Sequence, residues 1–82
     1  MTDADGTILR AAIRMAERFG YTVTTSSAST ATLSSREGDR LLLADHAFGP
    51  EWERRDADGA TSTGLGLESL LAHLRAAHPR PT

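Results

Sequence analysis

The side chains with the widest chemical reach in this 82-residue sequence are three histidines, nine cations that are all arginine, and a dense run of hydroxyls. His46, His73 and His78 alone have ordinary pKa values near neutrality, which proton transfer and metal ligation both exploit. His73 and His78 stand five apart and share no helix face, so their spacing is wrong for a two-ligand metal site. His46 follows Asp45, but an acid–histidine pair needs a nucleophile beside it, and no serine here sits in a Gly-x-Ser-x-Gly turn. Asp-Ala-Asp-Gly occurs at residues 3–6 and 56–59 and has the spacing of half a calcium loop. Its first ligand would fall on Met1 or Arg54 and its closing glutamate on Ala12 or Leu65, so the copies read as a helix cap and a turn. The residues therefore imply no catalytic group, no metal and no cofactor, and the chain is expected not to be an enzyme.

Binding chemistry is better represented. Arg10, Arg14 and Arg18 recur every fourth residue and would stack along a helix surface roughly 80° wide. Such a stripe suits phosphates or a carboxylate-rich partner, although a solvated helix face, offset in part by Glu17, has the same appearance. From Thr22 to Ser35 every residue except Val23, Ala28, Ala31 and Leu33 carries a hydroxyl. Threonine suits the solvent face of a pleated sheet, and the same face can meet an RNA backbone or another strand edge. Phe48 and Trp52, with Arg54 and Arg55 alongside, have the composition of a protein-binding hot spot if exposed. Trp52 in a thin core would instead be half-buried.

Length and charge narrow the classes. A chain this short is a single domain, residues 1–82, that buries only about 60–65% of its unfolded surface. With no cysteine, a disulfide framework is excluded. A formal charge of -2 and a sequence pI near 5.8 run against a dedicated nucleic-acid binder. The exclusive use of arginine reflects high-GC coding, as in a high-GC bacterium or its phage. No amino-terminal segment resembles a secretory signal and no apolar run is long enough to span a bilayer, so a cytoplasmic setting without membrane contact is expected.

The elements that must position these residues follow from periodicity. Residues 5–19 form a helix capped by Asp5, with Ile8, Ala12, Met15, Ala16 and Phe19 on its inner stripe and Leu9 beside them. Gly20 stops it, and from Tyr21 the period becomes two. Residues 31–35 and 40–47 make a hairpin around Arg36-Glu37-Gly38-Asp39, and Leu41, Leu42 and Leu43 mark the central strand. Residues 51–55 form a fourth strand with Trp52 facing in, and residues 60–64 an edge strand or a loop. Leu67, Leu70, Leu71 and Leu74 mark a second helix that ends at Pro79. The expectation is an α+β domain: helix, antiparallel sheet of three to four strands, helix, both helices on one face. Residues 1–4 and 79–82 read as flexible tails.

This order of elements resembles the double-stranded-RNA-binding-like fold of HicA-type toxins. The resemblance runs through Gly20-Tyr21 at the first junction, Ala44-Asp45-His46 where the family has Pro-x-His, and Gly66-Leu67 with Ser69, Leu70 and Leu71 at the last helix. The family's catalytic Gly-Ser-His reads Ala28-Ser29-Thr30 here, so the resemblance implies the fold and not ribonuclease activity. The sequence thus points to a small non-catalytic protein-binding or regulatory module, its partner another protein or a second copy of itself. The alternative is an RNA- or DNA-binding domain using Arg10, Arg14, Arg18, Ser29, Thr30 and His46.

Overall fold

In a computed structural model, which describes residues 3–45 and 49–78, the chain is a five-stranded antiparallel meander with two helices on one face. Helix α1 spans Asp3–Arg18, and strands β1 Tyr21–Ser26, β2 Thr30–Ser35, β3 Arg40–Ala44, β4 Glu51–Arg55 and β5 Thr61–Leu65 follow. Helix α2, Leu67–Ala77, closes the order. The strands pair in chain order, so β3, with its three leucines, is central and β1 and β5 are the edges.

The expected three to four strands are corrected to five. The segment 60–64, which left strand or loop open, is β5, in continuous register with β4 from Arg55↔Thr61 to Glu51↔Leu65. Helix α1 starts at Asp3, before the expected cap at Asp5. Strand β3 stops at Ala44, short of the expected residue 47, and β4 begins at Glu51, directly after Gly49-Pro50, whose proline has no N–H to donate to a ladder. Residue 47, the tail residues Met1 and Thr2, and residues 79–82, including the expected stop at Pro79, lie outside the described residues.

Alternation along the strands separates two faces. Tyr21, Ala31, Leu33, Leu41, Leu43 and Trp52 are buried on the inner face and pack with Leu9, Ala12 and Ala16 of α1 and Leu70 and Leu74 of α2 in one core. The α1 stripe faces the sheet as expected; within it Ala12 and Ala16 are fully buried, whereas Met15 and Phe19 are only partly so. Two alanines let the helix axis approach the sheet, and the larger side chains then flank the contact. No described element covers the outer face, where Leu42 is 42% exposed and Leu65 43%. Its threonines and serines meet solvent, as an antiparallel sheet permits.

Candidate functional site

At one end of the core, four titratable side chains from four different elements converge. Gly20, at φ 96°, turns the chain out of α1 and delivers Tyr21 to the start of β1. Asp39 closes the β2–β3 turn, its N–H bonded to Ser35 Oγ at 3.1 Å and its carbonyl accepting the Ser35 N–H at 3.0 Å. Arg54 lies on β4 opposite Leu41, two residues after Trp52 and so on the same inner face. His78 follows the last turn of α2, where its N–H donates to Leu74 O at 2.8 Å.

These groups bond to one another. Arg54 Nη2 donates to Asp39 Oδ2 at 2.9 Å, and Arg54 Nε donates to Tyr21 Oη at 3.0 Å. His78 Nε2 is 3.0 Å from Tyr21 Oη and 3.7 Å from Asp39 Oδ2. The phenol reaches Asp39 Oδ2 at 3.5 Å, a weak contact beside the guanidinium bond. Its ring meets the His78 imidazole edge-on at a centroid distance of 5.5 Å. Burial raises the Tyr21 pKa above its ordinary value, the Arg54 charge offsetting part of that rise, so the phenol keeps its proton at neutral pH. Burial by itself would lower the Arg54 pKa, but the bonds to Tyr21 and Asp39 outweigh it and the guanidinium stays charged.

A carboxylate, a guanidinium, a phenol and an imidazole together have the ingredients of acid–base chemistry. Here the carboxylate and guanidinium neutralise each other, and the phenol sits between guanidinium and imidazole. The arrangement ties β1, β4, the β2–β3 turn and the end of α2 into one knot.

A second cluster lies between α2 and the sheet. The Trp52 and His73 rings stack with centroids 4.7 Å apart and an interplanar angle of 30°. Gly64, paired with Trp52 across β4 and β5, makes room for the indole: a Cβ there would lie 2.5 Å from Trp52 Cζ2 and 2.7 Å from Ser69 Oγ. Burial, and after it the charges of Arg54 and His78, lower the His73 pKa, so its imidazole stacks in the neutral form. Trp52 Nε1, His73 Nε2 and Asp45 Oδ1 are buried and find no hydrogen-bond partner among the described residues.

The structure redistributes the residues expected to bind partners. Arg10, Arg14 and Arg18 are all exposed on α1, so the stripe exists as a surface. Arg55 is exposed on β4, 3.6 Å from Glu53. Trp52 is 4% exposed, deeper than half-buried, which corrects its placement as a surface anchor; its indole is filled in against Gly64 and His73. Arg54 is likewise corrected: its side chain is 13% exposed and bound to Asp39 and Tyr21. Phe48 and His46 lie outside the described residues. Ser29 and Thr30 are exposed at the β1–β2 turn, where Thr30 Oγ1 bonds Ser27 Oγ at 2.9 Å. The Asp-Ala-Asp-Gly at 56–59 is a turn, with Asp56 Oδ1 accepting the N–H groups of Asp58 and Ala60.

Among the described residues no group of three or more histidine or acidic side chains is placed to hold a metal ion, and no described helix is long and apolar enough to cross a membrane. No family model, curated protein or solved structure matches the chain.

Proposed function

We propose that this chain is a small non-catalytic protein-interaction module of a cytoplasm, and that its working surface is the outer face of the sheet. The observation that carries this reading is the outer sheet face, which no described element covers: it presents Leu42 and Leu65, each more than two-fifths exposed, among threonines, serines and the charged Arg40, Glu51, Glu53 and Arg55. Leu42 lies on the central strand between Thr32 and Glu53, where a flat partner surface would bury it first. The cluster of Tyr21, Asp39, Arg54 and His78 favours the same reading, because its members bond to one another.

The test compares capture from native lysate by the immobilised wild-type chain and by a Leu42→Glu variant. Leu42 contributes little to the core, so the variant keeps the far-ultraviolet circular dichroism of the parent. A binder retained by the wild type and lost from the variant is the expected result. Retention of the same proteins by both, or of none by either, overturns the reading.

The exposure of Arg10, Arg14 and Arg18 supports a second reading, a nucleic-acid-binding domain of HicA-like topology. It requires binding to RNA or DNA that weakens steeply with salt and disappears when all three become glutamine.

A further inference from the structure

We infer that the chain forms a homodimer by antiparallel pairing of β5 with β5 of a second copy. The two edges of the sheet are built differently. At β1 the register slips between Val23 and Thr25, and Thr24 Oγ1 folds back to donate to Thr32 O at 2.9 Å. A bulge of this kind is a common device against edge pairing. Strand β5, Thr-Ser-Thr-Gly-Leu, has no charge, no proline and no bulge, and its register with β4 is unbroken. Thr61, Thr63 and Leu65 are exposed along it.

The hydrogen-bond phase shows which backbone groups of β5 are left unused by β4 among the described residues. Gly66 N–H donates to Pro50 O at 2.8 Å and Asp56 N–H to Ala60 O at 2.9 Å, at the two ends of the β4–β5 pair. Antiparallel pairs alternate, so residues 60, 62, 64 and 66 turn their backbone groups to β4 and Thr61, Thr63 and Leu65 turn theirs outward. A two-fold axis at Thr63 sets it against the partner's Thr63, and Thr61 against the partner's Leu65. That pairing forms about six backbone hydrogen bonds and puts threonine opposite threonine at its centre.

The uncharged edge, matching its own hydrogen-bond phase about Thr63, favours a second copy as the occupant, and the flanking charges orient it. On the outer face, Arg55 lies across from Thr61 at one end of β5 and Glu51 lies across from Leu65 at the other. Arg55 also faces Arg40 on its other side, so two like charges stand opposed. The two-fold axis aligns this basic row with the partner's Glu51, and it sets Glu53, across from Thr63, opposite the partner's Glu53 at the same spacing. At three strand spacings, about 14 Å, the attraction is largely screened in physiological salt and sets orientation more than affinity. The backbone bonds supply the affinity.

Such a dimer names one partner of the proposed interaction module, and its absence leaves the Leu42-dependent capture untouched, so the two have separate readouts. The experiment is sedimentation equilibrium or light scattering from about 1 µM to about 1 mM, the range in which weak specific pairs become populated. The wild type is expected to rise from 8.8 kDa toward twice that mass. Thr63→Pro removes an N–H that β4 does not use, and Thr63→Lys sets like charges face to face at the axis. Both variants are expected to stay monomeric with unchanged circular dichroism; if the proline variant loses its fold, the lysine variant decides. A wild type monomeric throughout, or a dimer that survives in folded Thr63→Lys, overturns the inference.

Discussion

The ion pair of Arg54 with Asp39 shows how far residue type alone misleads. Glu-Trp-Glu-Arg-Arg reads as a solvated charged segment, and Arg36-Glu37-Gly38-Asp39 as a polar turn, yet Asp39 is 5% exposed and Arg54 is bound to it at 2.9 Å. Period-two alternation carried a usable signal: a strand that turns Trp52 inward turns Arg54 inward as well, and one that buries Leu41 also turns Asp39 in. What the sequence lacked was any indication that the two would meet across β3 and β4. Removing one member leaves the other as an uncompensated buried charge, at a cost of about 3–5 kcal/mol. The whole domain has only about 0.05–0.15 kcal/mol of stability per residue. Arg54→Met is therefore expected to move the urea midpoint far toward zero denaturant. Because the surviving Asp39 charge causes most of that loss, Arg54→Met combined with Asp39→Leu is expected to recover a large part of it. Equal midpoints for the single and double variants would show that the pair is not coupled.

At the scale of elements, the order helix, strands, helix and the central place of β3 were legible, because helical stripes and alternating apolar positions report on burial directly. Strand β5 was not, since Thr-Ser-Thr-Gly-Leu offers no inward apolar side chain: the space over Gly64 is occupied by an indole from the neighbouring strand. The inward stripe of α1 was legible as well, though hydrophobic bulk is a poor guide to which of its members approach most closely where alanines make the contact. Gly64 can be tested by adding one methyl group. Gly64→Ala restricts the unfolded chain, a gain of about 0.4–1 kcal/mol, but its Cβ meets the Trp52 ring at 2.5 Å. Overpacking of a filled core costs about 1–3 kcal/mol, so the clash is the larger effect. The variant is expected to unfold at lower urea and to shift Trp52 fluorescence to the red; an unchanged midpoint and spectrum would show that the indole does not fill this site.

Across the whole molecule, the one-sided layering brings α2 down on the sheet and carries His73 into the seam between them, facing Trp52 and near the guanidinium of Arg54 and the imidazole of His78. Charge and composition spoke to surface and class, and they could not distinguish a histidine in this seam from one in solvent. The consequence is a pH dependence of global stability with a definite sign. Burial first, and then the charge of Arg54 and the electrostatic influence of His78, lower the folded-state pKa of His73, so below its ordinary value near 6.5 the unfolded chain binds more protons than the folded one. The neutral imidazole's contribution is fully present above that value and is lost as pH falls from there through the folded pKa. For one proton the slope cannot exceed about 1.4 kcal/mol per pH unit. Replacing His73 with phenylalanine keeps an aromatic ring against Trp52 and removes the proton. Urea midpoints of wild type and His73→Phe are therefore expected to diverge as pH falls from about 7 to about 5.5, above the range where ordinary carboxylates titrate. Subtracting the two curves isolates the contribution of His73 together with its coupling to His78. Parallel curves over that interval would show that the His73 ring is charged in the folded protein or reaches solvent there.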